Sequence, residues 1–402
     1  MKRILLIVVI FTLSTTLNAQ TLKTAVLVIG NGNSAWAAGV QSAVSGAKTI
    51  ILTQSKGFTI TDMGLNLHSG IEAEFLKRAR KAMKITDSTK VVVPDLQTAN
   101  EVLKTWGDTT KNLTVIRSVS YVKLSRSGSN WTLKLSDGKT IKARILIHAG
   151  NADLDAAINL PKTTVATSKV LNYKNEEYRT SIASGYYLPD LSNTASFATL
   201  ATVLPKDQEN LVLANSMGAS MIIGQAAGAT AAYAAFFDTK TSAVKLKPIQ
   251  EELLKYRLAL VPYSDVASTD VNWGAMQATG LMGILKAELK ADKVLFLPAA
   301  PVSVAEVKVS MEALYYKAQI WFDDHSKSAL DLKTVIDLVC YIGNKSPETV
   351  NAEVKKKWTK VWQFSNAFDL NRLLNRREFS VLVNEYLQPL NVGIDNTGRI
   401  IR

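Results

Sequence analysis

Residues 25–35 read AVLVIGNGNSA, an apolar run that ends in a G-x-G-x-x-A turn. The run is β-branched and does not alternate with polar residues, which is typical of a parallel strand buried on both faces. Gly30 permits a tight turn, Gly32 lets the backbone approach a pyrophosphate, and Ala35 lets the next helix pack closely. A small-residue helix and a second apolar strand follow over 36–52. The stretch predicts a nucleotide-binding βαβ unit, although a glycine turn between any strand and helix can give the same pattern.

The position after the second strand departs from the usual pattern. A dinucleotide-binding unit normally carries Asp or Glu there, which accepts hydrogen bonds from the ribose hydroxyls. This chain has Thr53 and Gln54 instead. Because a hydrogen bond to a charged acceptor contributes roughly 1.5–3 kcal/mol, a neutral residue weakens binding about ten- to a hundredfold. Binding survives if the other contacts are intact.

The composition is that of a globular protein large enough for two or three domains. The chain has 402 residues, of which 47% are hydrophobic and 20% charged, and its formal net charge is +13. The basic residues are dispersed, and the longest run, 355–357, falls in a predicted helix. We interpret this run as a solvated face rather than a nucleic-acid site.

The histidines and the cysteine give little evidence of chemistry. His68, His148 and His325 share no metal-ligand spacing, so we expect no metal site. His148 ends an apolar run, where it is either an acid or base or a buried histidine with satisfied hydrogen bonds. Cys340 is the only cysteine, which excludes an internal disulfide. Its apolar neighbours favour burial over a redox role.

The first nineteen residues have the pattern of a signal peptide. Lys2 and Arg3 precede an apolar stretch over 4–13 that is too short to span a bilayer as a helix, and Ala19 offers a cleavage site. The alternative is a buried first helix or strand. We expect cleavage after Ala19 and a periplasmic or secreted protein without a membrane span.

Two further stretches combine an apolar strand with a following glycine. Residues 145–150 read ILIHAG, and residues 210–214 read NLVLA ahead of a helix rich in Ala and Gly. That composition permits close helix packing, while Gly218 and Gly224 near the helix start leave backbone amides accessible to a ligand. Both interpretations stay open at this point.

In this order, the three stretches resemble the FAD-dependent oxidoreductases of the glutathione-reductase-like fold over roughly residues 21–235. The match is closest to a bacterial group whose members often end in a helical extension. The resemblance implies an α/β fold with a Rossmann-like FAD-binding domain, a β-meander insertion and a C-terminal all-helical module. The expected signal peptide covers 1–19, the FAD-binding domain covers 20–240, and the helical module covers 241–402. The FAD-binding domain includes a helical insertion over 57–111 and a short substrate-side segment over 156–205.

The resemblance also implies a site for FAD. The pyrophosphate would lie on the glycine turn, the adenine side near the backbone of Val119, and the flavin end near the start of the helix after 210–214. The expected FAD-binding residues are Gly30, Asn31, Gly32, Asn33, Ser34, Ala35, Thr53, Gln54, Val119, Ala149, Gly150, Gly218, Gly224 and Gln225.

Three departures from the family pattern leave two functions open. The ribose acid is absent, Ala149 and Asn151 replace the family's Thr and Asp, and the short segment between Ser220 and Gly224 lacks the family's arginine near the flavin. No catalytic residue emerges from the sequence. We expect a flavoprotein oxidoreductase that acts on a small organic or carbohydrate-derived substrate by hydride transfer to or from flavin. The alternative is a degenerate, non-catalytic member that serves as an envelope binding or interaction protein.

The C-terminal part is helical by periodicity. The stretches 272–274, 279–283 and 296–306 appear in an order faintly similar to surface-layer-homology repeats, and LLNRREF at 373–379 is similar to the end of such a repeat. Such repeats bind cell-wall polymers, so this module is either an envelope-polymer contact or a docking module without a ligand of its own.

Overall fold

The computed structural model describes residues 20–60, 68–87, 92, 94–150, 152–158, 166–186, 194–215, 220–290, 293–325 and 329–401. The expected signal peptide over 1–19 and two expected site positions, Asn151 and Gly218, lie outside the described residues. Within the described ranges, no helix combines the length and the hydrophobicity that a membrane span requires.

The described strands and helices alternate along the first half of the chain, and helices dominate the second half. The strands are β1 (Thr21–Ile29), β2 (Thr49–Leu52), β3 (Leu113–Ile116), β4 (Tyr121–Ser127), β5 (Asn130–Leu135), β6 (Thr140–His148), β7 (Lys169–Val170), β8 (Ala183–Gly185), β9 (Ser196–Ala198), β10 (Leu211–Leu213), β11 (Glu288–Lys290) and β12 (Lys293–Leu295). The α-helices are α1 (Asn33–Val44), α2 (Gly70–Ala82), α3 (Leu96–Thr109), α4 (Ala152–Ala157), α5 (Leu200–Val203), α6 (Met221–Phe236), α7 (Leu246–Lys255), α8 (Trp273–Leu281), α9 (Val304–Leu314), α10 (Tyr316–Asp324), α11 (Leu332–Gly343), α12 (Pro347–Lys357) and α13 (Arg376–Leu387).

One large sheet organises the first half. Its strand order is β3-β2-β1-β6-β5-β4, and β10 also pairs with β6. Strands β3, β2, β1, β6 and β10 are parallel, while β4, β5 and β6 form an antiparallel meander. The parallel sheet, the meander and the helical C-terminal region confirm the expected fold class. The C-terminal region also contains the short β11–β12 hairpin.

The first strand is longer than its apolar run predicts. β1 begins at Thr21 because its polar first half pairs with the first half of β6, from Thr21 opposite Thr140 onward. That pairing partner lies more than a hundred residues away, so local hydrophobicity gives no signal for it.

Helix α6 lies directly on helix α1. A Cβ atom added to Gly224 would come within 2.4 Å of the Ser34 carbonyl oxygen, and one added to Gly228 within 2.4 Å of the Ala38 carbonyl oxygen. The later glycine of α6 contacts the later residue of α1, so α1 and α6 run parallel. Most of α6 is buried, as expected for a helix that is apolar on all sides. The Ala and Gly density therefore serves close helix packing.

The helical C-terminal region is anchored to the first half by polar contacts. The buried Gln250 side chain on α7 donates hydrogen bonds to the carbonyls of Arg179 and Ser181. The buried guanidinium of Arg179 donates to the carbonyls of Met282 and Gly398. The segment around Arg179 thus supports the C-terminal region.

The stretch compared with surface-layer repeats has an internal structural role. Asn375 caps α13 by accepting a hydrogen bond from the N–H of Glu378, and the buried Glu378 carboxylate accepts two hydrogen bonds from Arg372. These bonds organise the start of the helix. Polymer binding by this region stays a prediction.

The α1–α6 contact leads to a first prediction. Gly228→Ala places a methyl group against the backbone of α1, and overpacking of this kind costs typically about 1–3 kcal/mol. Gly274→Ala on α8 meets no atom within 4 Å and is expected to be neutral or to stabilise by up to about 1 kcal/mol. Denaturant unfolding of both variants tests this difference. Equal unfolding midpoints for the two variants would contradict the packing role of Gly228.

Candidate cofactor site

The glycine turn lies at the carboxyl edge of the main sheet. Ile29 at the end of β1 is in register with His148 at the end of β6, which is in register with Leu213 of β10. The Ala149 N–H donates to the Ile29 carbonyl at 2.9 Å, and a Cβ atom on Gly30 would lie 2.3 Å from the Ala149 carbonyl oxygen. Only glycine permits this approach. The structure therefore brings the first and second sequence stretches together.

The starts of two helices also lie at this edge. Gly32 precedes α1 and has no side chain to cap the first-turn amides, whereas the Ser220 hydroxyl accepts a hydrogen bond from the Ile222 N–H at the start of α6. Because α1 and α6 are parallel, their N-terminal ends lie side by side. The positive ends of both helix dipoles favour an anion there.

The first turn of α1 fits a diphosphate group. The Ser34 hydroxyl is fully buried and has no hydrogen-bond partner within the described part of the chain. A buried hydroxyl without a partner costs roughly 1–3 kcal/mol, which a ligand oxygen can offset. The uncapped helix start, the close Gly30 turn and this hydroxyl are the features that would hold a pyrophosphate.

The ribose side of the site has no negative charge at the expected positions. Thr53 is buried, and its hydroxyl accepts a hydrogen bond from the Ser55 N–H at 3.2 Å. Gln54 is exposed. Val119 is half-buried against a hydrophobic cluster that includes side chains of β1, β2, β5 and β6. The N–H of the preceding residue, Ser118, donates to the Ser55 carbonyl. Val119 is thus placed beside the end of β2, where the resemblance puts the adenine side.

A short segment over 55–60 crosses the glycine turn. The Thr59 N–H donates to the Asn31 carbonyl at 2.7 Å, and the Asn31 side chain donates to the Ser55 hydroxyl at 3.2 Å. Asn100 on α3 accepts a hydrogen bond from the Phe58 N–H and donates to its carbonyl, and so fixes this segment. No sequence pattern points to Asn100, because it lies 42 residues from its partner. The Asn31 side chain is engaged within the protein.

His148 fixes the loop that faces Gly30. Its Nδ1 accepts a hydrogen bond from the Gly150 N–H at 3.2 Å, and its Nε2 lies 2.6 Å from the Asp155 carboxylate. These partners assign the proton to Nε2. Burial lowers the pKa of His148, and the Asp155 carboxylate partly offsets that effect. With both ring nitrogens engaged, His148 is a positioning residue for the turn at Gly150.

The expected flavin-end residues on α6 contact protein groups. Gly224 packs on the backbone of α1, as described above. The buried Gln225 side chain accepts a hydrogen bond from the Ile71 N–H and donates to the Gln41 side chain. Gln225 therefore links α6 to α1 and α2, and its polar atoms are satisfied there.

The remaining titratable candidates are dispersed. His68 pairs with the buried Glu72 at 2.6 Å, and burial raises the pKa of Glu72 while His68 opposes this shift. His325 stacks on Trp321, and Cys340 is buried. Over the described ranges, no group of three or more His, Cys, Asp or Glu side chains is arranged to hold a metal ion.

Residues 25–169 match the family model of the FAD dependent oxidoreductases. The matched segment includes the glycine turn, the meander and the loop at Ala149 and Gly150. The match agrees with FAD as the cofactor and with the oxidoreductase class. By sequence, none of the curated proteins matches the chain.

Several solved structures are similar to parts of this chain at low sequence identity. GidA from Aquifex aeolicus is 16% identical over 33% of this chain and 25% of its own, with a TM-score of 0.23. Bacillithiol disulfide reductase from Staphylococcus aureus is 13% identical over 32% and 39%, with a TM-score of 0.21. p-Nitrophenol 4-monooxygenase from Pseudomonas putida is 10% identical over 64% and 90%, with a TM-score of 0.33. The chain spans well under half the length of the first two.

The buried His148 gives a prediction for the pH dependence of stability. Its pKa is lowered in the folded protein, whereas an unfolded histidine titrates near about 6.5. Below that pH the unfolded state binds a proton that the folded state does not, so stability falls as the pH falls from about 6.5 toward the folded pKa. The variant His148→Asn lacks this titration.

We therefore expect the unfolding free energy of the wild type, relative to His148→Asn, to be larger at pH 8 than at pH 5. Denaturant unfolding at both pH values measures this difference. The opposing titration of Glu72 is present in both proteins and cancels in the comparison. A difference that is constant or grows on acidification would refute the assignment.

Proposed function

We propose that this protein is an FAD-dependent oxidoreductase that acts on a small organic or carbohydrate-derived substrate by hydride transfer to or from flavin. The proposal rests on one observation. The N-termini of the parallel helices α1 and α6 lie beside the Gly30 turn at one edge of the sheet. The family match over 25–169 supports the same assignment.

The chain contributes binding and orientation at this site. The uncapped start of α1 and the Ser34 hydroxyl would hold the pyrophosphate, and the backbone near Val119 would border the adenine side. Bound FAD supplies the hydride acceptor or donor, as cofactors do in this class of enzyme. His148 keeps the Gly150 loop in the position that leaves space only for a glycine at residue 30.

The visible absorbance spectrum of the purified protein tests the proposal. After incubation with FAD and desalting, we expect the protein to retain a flavin absorbance spectrum. We expect this spectrum to bleach on anaerobic reduction. A panel of small alcohols, amines and sugar derivatives then identifies substrates that bleach the flavin. A folded protein that stays colourless after incubation with FAD would overturn the proposal.

The neutral Thr53 favours a second candidate, a non-catalytic envelope binding protein that keeps the fold. A colourless protein supports this candidate and directs attention to polymer binding by the helical region.

The same preparation tests export, which we also propose. Mass spectrometry of protein made in an exporting bacterium should give Gln20 as the first residue, and an intact N-terminus would contradict this.

The ribose position yields a further prediction. Thr53→Glu restores a charged acceptor, and Thr53→Gln is a control of equal size without the charge. A charged hydrogen bond contributes roughly 1–2 kcal/mol more than a neutral one, so Thr53→Glu should bind FAD about five- to thirtyfold more tightly than Thr53→Gln. Quenching of FAD fluorescence measures both dissociation constants. Equal constants would show that residue 53 does not face the ribose.

A further inference from the structure

Two aromatic side chains protrude at the C-terminal end of α6. Phe236 and Phe237 are 71% and 58% exposed, and their ring centroids lie 5.1 Å apart. Tyr233 packs on Phe237 at 4.6 Å and borders a groove of about 390 Å³ between the ends of α6 and α1. Exposed aromatic pairs on an otherwise buried helix mark a surface that contacts an apolar medium or partner.

Basic side chains surround this aromatic pair. Lys23 on β1 and Lys142 on β6 are exposed and stand opposite each other in register. Arg144, two residues along on the same face of β6, pairs with Asp238 and donates to the Thr239 carbonyl just after α6. This contact places the two lysines beside the end of α6. Opposed like charges repel, so an anionic partner is favoured there.

We define the basal surface as Lys23, Lys142, Phe236, Phe237 and Lys240. All five side chains are exposed. Three acidic side chains border this surface, and each has a partner. They are Asp238, which pairs with Arg144, Glu252, which pairs with Lys255, and Glu209, which accepts a hydrogen bond from Ser242. Glu209 keeps its negative charge and interacts with Lys240, so the uncompensated positive charge on the basal surface comes from Lys23 and Lys142.

The basal surface lies at the amino edge of the sheet, opposite the candidate cofactor site. Helix α1 starts at the glycine turn, ends at Val44 beside Phe236 and Phe237, and runs parallel to α6. Gln20, the first described residue, also lies at this edge, where its carbonyl accepts a hydrogen bond from the Thr140 N–H.

We propose that the basal surface docks peripherally on an anionic lipid bilayer. Phe236 and Phe237 insert at the boundary between headgroups and acyl chains, and the three lysines contact the anionic headgroups. A lipid surface is favoured over a soluble polyanion because a polyanion would leave both phenyl rings in water. This orientation turns the carboxyl edge and the candidate cofactor site toward the aqueous phase.

Vesicle co-sedimentation tests the proposal on residues 20–402, since all described helices and strands lie within 21–391. We expect binding to vesicles that contain phosphatidylglycerol, weak binding to pure phosphatidylcholine, and loss of binding at high salt. Each basic residue near an anionic surface contributes roughly fivefold, so Lys23→Gln/Lys142→Gln should weaken binding about 25-fold. Phe236→Ser/Phe237→Ser should weaken it roughly tenfold or more.

Matched controls remove exposed residues from the helical region. Val309→Ser/Tyr316→Ser changes side chains that are 74% and 78% exposed, and Lys355→Gln/Lys356→Gln changes two exposed lysines on α12. Both controls should bind vesicles like the wild type. In Phe236→Trp, brominated lipids should quench the fluorescence added at position 236.

Two results would overturn the proposal. One is equal vesicle binding by Phe236→Ser/Phe237→Ser and the wild type. If the lysine variant is weakened at the same time, the binding is electrostatic alone and a soluble polyanion would satisfy it equally well. The other is an absence of binding to phosphatidylglycerol vesicles at low salt. Because all the replaced side chains are exposed, circular dichroism should show that each variant is folded.

Discussion

The backbone contact between α1 and α6 is the constraint on which the candidate site depends. Glycine at 224 and 228 lets the two helices approach until backbone atoms touch. Because the helices are also parallel, their N-terminal dipoles are additive at one edge of the sheet. A larger residue at either glycine would separate the helix starts and weaken the field at the anion site.

The turn at Gly30 is held from two sides. The loop at Ala149 fills the space that a side chain on Gly30 would need, and His148 fixes that loop through the Gly150 N–H. The segment over 55–60 covers the outer side of the turn through Asn31. These contacts preorganise the turn, so binding of a cofactor there need not order it first.

The two ends of the sheet differ in chemistry. The carboxyl edge carries the helix starts and a buried hydroxyl without a partner, which suit a diphosphate. The amino edge carries exposed phenyl rings and lysines, which suit an anionic surface with an apolar layer beneath. Since both edges are joined by the same rigid helix pair, docking at the amino edge fixes the direction in which the candidate cofactor site faces.

The sequence by itself determined the βαβ unit, the meander and the helical C-terminal part, because each depends on local periodicity and turn residues. It also located the glycine turn, since tight turns require particular residues at fixed spacing. Only the tertiary structure decided the long-range partners: Asn100 on Phe58, Arg179 on Met282, and Gln225 between three helices. Side-chain hydrogen bonds between distant segments leave no periodic signal. The same holds for the register of Lys23 and Lys142, which depends on strand pairing across more than a hundred residues.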